Sequence, residues 1–160
     1  WAEAQGEAGL ARFLTFKLNG QIYGIPVAAV LEIVRAQRIR AVPGTAAFIG
    51  GVINLRGKVV PVADVRRRLA LPAKPYDERT CIVMTQSRSQ VVGLIVDEVR
   101  DVLGLPDSRI ESQSRREENG QGRFISGFGI VESQVRILLD LERLLFEGWP
   151  PDGDGKRSSA

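Results

Sequence analysis

Apolar and polar residues alternate with a period of two along much of this chain, and this pattern constrains the fold more than any other feature. Near the start, Leu14, Phe16 and Leu18 alternate with polar residues, and Asn19-Gly20 leads into a second strand-like run at Gln21–Ile25. Successive side chains of a strand point to opposite faces, and Asn-Gly is the favoured sequence of a two-residue hairpin turn. The pattern therefore predicts a β-hairpin near the N-terminus.

Further runs of the same kind predict a chain made mainly of short strands. The predicted strands are Val30–Arg35, Val52–Leu55, Lys58–Ala63, Cys81–Thr85, Gln90–Asp97, Arg100–Leu103, Phe124–Val131 and Gln134–Asp140. We also predict a short helix capped by Asp64, another at Glu142–Phe146, and a long mobile loop at residues 105–123. Many short strands with little helix favour closed β-barrels.

Length and composition are those of an ordinary globular protein. The 160 residues suit one compact domain, or two small subdomains that share a core. Residues 1–10 are small and polar, and residues 148–160 are rich in Pro, Gly and Ser, so we expect a flexible N-terminal segment and a disordered C-terminal tail. No apolar run is long enough to span a bilayer, so no direct membrane insertion is predicted. The single cysteine, Cys81, favours a reducing, cytoplasmic location.

The absence of histidine excludes several kinds of site. Metal sites built on His, His general bases and a phospho-accepting His are all ruled out. The net charge of +3 raises the question of nucleic-acid binding. The basic clusters, such as Arg66–Arg68, are short and lack the aromatic residues that base stacking needs. We therefore predict no nucleic-acid partner.

Motifs of catalysis or cofactor binding are not found either. Gly51 and Gly57-Lys58 resemble a phosphate-binding loop, but five residues separate the glycines where four are required. Val59 also stands where such a loop needs a hydroxyl group, and Gly127-Phe128-Gly129 lacks the third glycine of a dinucleotide site. The sequence thus predicts no enzyme, with no catalytic, cofactor-binding or metal residues.

The segment Phe48–Asp64 is the most informative part of the chain for function. It places Asn54 and Arg56 between two apolar runs, and Gly57 closes the corner. An Arg is costly to bury and keeps its charge, so Arg56 needs a carboxylate or carbonyl partner, or a binding role. Glu32, within an apolar strand, is a candidate partner. Two interpretations stay open: an internal Glu32–Arg56 ion pair, and a strand edge that binds another protein.

A resemblance to a known family extends over the chain from Phe13 to Phe146. The segments that carry it are the opening hairpin, Tyr23–Val27, Val30–Ile33, Val42-Pro43, Phe48–Arg66, Val92–Val99, Val102-Leu103, Ile125–Gly127 and Ile137–Leu145. In this order they resemble the CheW family, the coupling proteins of bacterial chemotaxis. The resemblance implies a CheW-like domain at residues 11–147, mainly β, with two intertwined five-stranded SH3-like barrels that share a hydrophobic core.

The function that the resemblance implies is that of a non-enzymatic adaptor. Such a protein couples methyl-accepting chemotaxis receptors to the chemotaxis histidine kinase CheA and controls its autophosphorylation. Its location is the cytoplasm, where it is recruited to membrane-associated receptor arrays. Its partners are the regulatory domain of CheA and the cytoplasmic tip of the receptors. The alternative is a CheW-like regulatory domain cut from a chemotaxis histidine kinase.

Site residues follow from the same resemblance, position by position. Those matching the receptor-binding groove are Val30, Asn54, Arg56, Gly57 and Val102. Those matching the kinase-binding surface are Glu32 and Ile33.

Overall fold

A computed structural model describes residues 9–36, 39–40, 49–113 and 121–147. Within these ranges the chain forms eleven strands and two short α-helices. The strands are β1 (Ala11–Leu18), β2 (Gln21–Pro26), β3 (Val30–Arg35), β4 (Ile49–Leu55), β5 (Lys58–Asp64), β6 (Cys81–Ser87), β7 (Gln90–Val96), β8 (Glu98–Leu105), β9 (Ile110–Ser112), β10 (Ile125–Val131) and β11 (Gln134–Leu139). The helices are α1 (Val65–Arg68) and α2 (Leu141–Phe146), and single 3₁₀ turns lie at Val27–Ala29, Asp107–Arg109 and Gln121–Phe124.

The strands form two sheets. The first has six strands in the order β8-β1-β2-β11-β10-β9, and the second has five in the order β3-β6-β7-β5-β4. Neighbouring strands are antiparallel except for β2–β11 and β5–β7, which are parallel. The second sheet comes from one continuous part of the chain, inserted between the β2 and β8 strands of the first.

The predicted N-terminal hairpin is present with its turn at the expected residues. Asn19 and Gly20 both have positive φ, 52° and 83°, and Leu18 pairs with Gln21 across the turn. Two central residues with positive φ give a turn whose twist matches that of the flanking strands, and Asn and Gly adopt this conformation most readily. The predicted apolar residues Leu14, Phe16 and Leu18 are all buried, but so is the polar Thr15, whose hydroxyl accepts from the Asp101 amide at 3.1 Å and donates to its side chain at 2.5 Å.

The larger hydrophobic core lies between the sheets. Phe16 and Tyr23 from the first sheet, whose ring centroids are 6.3 Å apart, belong to one buried cluster with Val83 and Leu94 from the second sheet and Leu144 from α2. A smaller cluster belongs to the second sheet and consists of Ile53, Val60, Val62, Ile82, Met84 and Ile95. The prediction of a mainly β fold with a shared core is therefore confirmed.

The first sheet differs from the prediction in its number of strands. Five strands were expected in each barrel, but β9 adds a sixth to the first sheet by pairing with β10, with Glu111 opposite Phe128. This strand lies in the stretch 105–123, so the prediction of one long loop there is wrong for its described part. Strand β9 is a short edge strand, and two of its three residues are polar and exposed. A strand in this position tolerates a polar sequence, which is why the sequence suggested a loop.

Asp97, between β7 and β8, forms an ion pair with Arg66 and a hydrogen bond with the turn of the N-terminal hairpin. The Arg66 guanidinium donates to both carboxylate oxygens of Asp97, at 2.8 and 2.7 Å, and Asp97 also accepts from the Asn19 backbone amide at 3.1 Å. Arg66 is placed by α1, whose first turn Asp64 caps by accepting from the Arg66 amide at 3.0 Å. The predicted capping role of Asp64 is confirmed.

Several expectations concern residues that lie outside the described ranges. They include residues 1–8 and 148–160 of the predicted flexible ends, Val42-Pro43, and Phe48. The limits of the domain at residues 11–147 stay a prediction. Among the described residues, no helix has the length and apolar character needed to cross a membrane.

Candidate functional site

The corner between β4 and β5 is a tight turn centred on Arg56 and Gly57. Both residues have positive φ, 51° and 87°, and the Asn54 side chain closes the turn by accepting from the Gly57 amide at 2.9 Å. A positive φ is uncommon for a residue other than glycine. Asn54 and Gly57 thus define a turn that projects the Arg56 side chain, which is 68% exposed.

Glu32 and Arg56 form the ion pair that the sequence suggested. Arg56 Nη1 donates to Glu32 Oε1 at 3.3 Å, and Nη2 donates to Oε2. The hydrogen bond from Arg56 lowers the pKa of Glu32, and the same bond raises the pKa of Arg56. Because both side chains are accessible to solvent, the pair is screened and stabilises the fold little. The internal ion pair expected under one interpretation is therefore a surface pair.

Strand β3, which carries Glu32, lies at one edge of the second sheet. Among the described residues it pairs with β6 alone. Its alternation is that of a strand with one face outward, because Leu31 and Ile33 are 52% and 42% exposed while Val30 and Val34 are half-buried. An edge strand with exposed apolar side chains offers both unpaired backbone groups and apolar surface to a partner.

A groove of about 410 Å³ lies between β3 and the corner. Its lining residues are Leu31, Glu32, Leu55, Arg56, Lys58, Val60, Met84 and Val91. The Glu32–Arg56 pair thus stands at a groove with apolar walls. Val59, which is 70% exposed, stands between Lys58 and Val60 on β5 but is not among the residues that line the groove. Such a combination can bind a protein segment by apolar contact, with the ion pair providing polar specificity.

Val30 and Val102 lie outside this groove. Val30 packs against the shared core from the start of β3. Val102 belongs to β8 in the first sheet, where it pairs with Leu14 and is 52% exposed. The structure therefore gathers Asn54, Arg56 and Gly57 into one turn but places the two valines elsewhere.

The groove offers charged and apolar side chains that can bind a protein segment. In the described ranges no three His, Cys, Asp or Glu side chains gather where they could hold a metal ion. Cys81 is half-buried and its thiol contacts the Arg79 carbonyl oxygen at 3.4 Å.

Comparison with known proteins identifies the family. The CheW-like domain model matches residues 12–147. The chain belongs to the CheW-like family.

Individual relatives agree with this assignment. The chain is 44% identical over 134 residues to chemotaxis protein CheW of Bacillus subtilis, covering 84% of this chain and 86% of the relative. It is 35% identical over 140 residues to chemotaxis protein CheW of Klebsiella aerogenes, covering 88% and 84%. The crystal structure of scaffolding protein TtCheW from Thermoanaerobacter tengcongensis superposes with a TM-score of 0.78 at 28% identity, covering 86% of this chain and 93% of that one.

Sequence reasoning missed several residues of the groove in this CheW-like chain. Leu31 is an apolar residue on the outward face of β3, and the alternation of that strand is the signal that could have found it. Met84 and Val91 gave no such signal. They reach the groove because β6 and β7 form a hairpin beside β3, which only the sheet order reveals.

Proposed function

We propose that this CheW-like protein is a non-enzymatic adaptor that couples methyl-accepting chemotaxis receptors to the histidine kinase CheA and controls its autophosphorylation. The observation that carries the proposal is the exposed β3 edge beside the Glu32–Arg56 groove, on the fold of a family whose solved relative is named a scaffolding protein. The protein acts in the cytoplasm, at membrane-associated receptor arrays.

The kinase-binding surface in this proposal is the outer side of β3. Glu32 lies on the opposite face of the strand, where it pairs with Arg56, while Ile33 and Leu31 supply exposed apolar area on the outer face. These side chains pack against a barrel edge of the regulatory domain of CheA. Signalling contacts of this kind bury on the order of 1,200 Å² or less, and a few anchoring side chains provide most of the affinity.

The receptor-binding surface is formed by the Arg56 turn together with Val30 and Val102. The guanidinium of Arg56 has five N–H donors in all, and pairing with Glu32 leaves some of them for carbonyl or carboxylate groups of a receptor tip. Asn54 and Gly57 hold the turn in the shape that presents this guanidinium.

The two surfaces share one ion pair. Arg56 is assigned to the receptor and Glu32 to the kinase, and the two side chains bind each other. A receptor that draws Arg56 away from Glu32 changes the charge that the kinase meets on β3. The adaptor can therefore pass on a change of geometry without performing any chemistry, as coupling between two binding sites requires.

The test measures binding of the purified chain to the regulatory domain of CheA and to a receptor tip. Ile33→Asp should weaken kinase binding by about tenfold or more because it places a charge in an apolar contact. Ile130→Asp is the matched control, since Ile130 is also 42% exposed but lies on β10 of the other sheet.

For the receptor, Arg56→Ala should weaken binding while Arg88→Ala should not. Arg88 is a fitting control because it forms an exposed ion pair of the same type, with Glu142. Wild-type protein that binds neither the kinase domain nor the receptor tip contradicts the proposed function.

A further inference from the structure

The first sheet carries a basic groove that the proposed function does not use. It has a volume of about 420 Å³ and is lined by Lys17, Gly20, Gln21, Ile22, Arg100, Gln134, Val135 and Arg136. In the described part of the chain, none of its three cationic side chains forms an ion pair. Arg136 instead donates to the Gln134 amide oxygen at 2.8 Å.

The three cations come from different strands. In the strand order β8-β1-β2-β11, Arg100 lies on β8, Lys17 on β1 and Arg136 on β11. With a spacing of about 4.8 Å between strands, the backbones of Arg100 and Arg136 are roughly 14 Å apart. A row of this length fits a peptide segment that carries several carboxylates better than it fits one small anion.

The lining residues also show what else an occupant should carry. No carboxylate lines the groove, and Glu98, which is opposite Lys17 on β8, lines a neighbouring one instead. Ile22 is half-buried and Val135 is 52% exposed, so the groove has apolar surface between its charges. The net charge of +3 further favours an acidic partner.

We propose that this groove binds an acidic segment of a protein partner, one that presents several Asp or Glu residues and at least one apolar side chain. The carboxylates contact Lys17, Arg100 and Arg136, and the apolar side chain packs on Ile22 and Val135. The groove lies on the sheet opposite to the Glu32–Arg56 site, so it is separate from the kinase contact proposed on β3. Its Arg100 is two residues from Val102 on β8, so it borders the Val102 part of the proposed receptor surface without including it.

The experiment is an NMR titration of the isotope-labelled full chain with a ten-residue glutamate-rich peptide that contains a central leucine. We expect the largest amide shifts at residues 17–22, 98–101 and 134–136. The double variant R100Q/R136Q should bind about tenfold more weakly, since two charge-assisted contacts are lost. The control R35Q/R109Q makes the same change in net charge at two exposed arginines outside the groove and should bind as the wild type does.

A glutamine-peptide titration, a phosphate competition and a thermal-unfolding control complete the experiment. A matched glutamine peptide should give no localised shifts, and inorganic phosphate at the same concentration should not displace the glutamate peptide. Equal loss of binding in both double variants would show a response to net charge alone and overturn the proposal. Displacement by phosphate would overturn it in favour of a small-anion site, and shifts centred on β3 would place the peptide at the other surface. Thermal unfolding of each variant confirms that the fold is intact.

Discussion

Arg68 provides the sharpest test of how this fold is held together, because its charged group is buried against the end of a helix. Its Nε donates to the Leu144 carbonyl at 2.8 Å, and its Nη2 donates to the carbonyls of Arg143, at 3.1 Å, and Glu147. These oxygens lie at the end of α2, where most carbonyl groups lack the amide donor of a following turn, and the Arg143 carbonyl also accepts from the Glu147 amide at 3.1 Å. The guanidinium also stacks on the buried Phe124 ring, 4.5 Å from its centroid.

The size of the effect follows from these contacts. Three hydrogen bonds from a charged donor, at about 1.5 kcal/mol each, amount to roughly 4–5 kcal/mol. Burial opposes this gain and lowers the pKa of Arg68 to about 10, and a neutral side chain recovers that part. We therefore expect Arg68→Met to reduce the free energy of unfolding by about 2–3 kcal/mol, a large share of the total for a protein of this size.

Urea denaturation followed by circular dichroism measures this change. Arg67→Met is the matched control, because the neighbouring Arg67 is 56% exposed, although its guanidinium lies 3.8 Å from the mostly buried carboxylate of Asp64. Arg68→Lys should recover less than half of the loss, since an ammonium group cannot reach three carbonyls as a planar guanidinium does. If Arg68→Met and Arg67→Met unfold at the same urea concentration, the assignment of α2 capping to Arg68 is wrong.

Three further predictions concern acid stability, Gly51 in β4 and the surface ion pair. Burial by itself raises the pKa of Asp97, but the hydrogen bonds from the Arg66 side chain and the Asn19 backbone amide outweigh burial. The net effect is a pKa below the ordinary value for Asp. Its contribution is therefore present above the unfolded pKa and is lost as the pH falls through the lowered pKa of the folded state, and acid titration of Asp97→Asn should show a smaller fall in stability. Gly51→Ala should cost about 2–4 kcal/mol in a denaturation curve, because φ is 142° and a Cβ would lie 2.1 Å from the Arg40 carbonyl oxygen; a loss below about 1 kcal/mol would contradict this. Arg56→Ala should leave the thermal midpoint close to that of the wild type, and a fall as large as that of Gly51→Ala would mean that the pair is structural.

The local parts of the fold were predictable because short-range rules decide them. The hairpin at Asn19-Gly20 follows from turn geometry, and the strand Val30–Arg35 was predicted with its observed limits because its residues are apolar on both faces. The Asp64 cap follows from the chemistry of helix ends. Each of these features is determined by residues that are neighbours in sequence.

The features that were missed depend on residues far apart in the chain. Arg66 and Arg68 are part of a charged run of three, yet both are buried, because Asp97 and the end of α2 supply their partners. The short strand β9 is polar and becomes a strand because β10 offers it a free edge. No local pattern contains this information.

For the candidate site, the Glu32–Arg56 ion pair could be predicted from the sequence, but its exposure to solvent could not. Because Arg56 keeps its charge, the sequence predicted a partner for it, and Glu32 was the candidate. The structure contains this ion pair, so that part of the prediction is confirmed. Whether that pair was internal or at the surface depended on the order of strands, which places β3 at an edge. The assignment of Val30, Asn54, Arg56, Gly57 and Val102 to a receptor, and of Glu32 and Ile33 to a kinase, remains a prediction for the binding experiments.

The insertion of the second sheet between β2 and β8 has a consequence for synthesis on the ribosome. Once Val96 has emerged, β3 to β7 can assemble, and the β1–β2 hairpin is already available to cover their apolar face. The two outer sides of that hairpin stay unpaired until β8 and then β11 arrive. The nascent chain thus passes through a stage with two open strand edges, at which pairing with another copy competes with folding, and completion waits for residues close to the C-terminus.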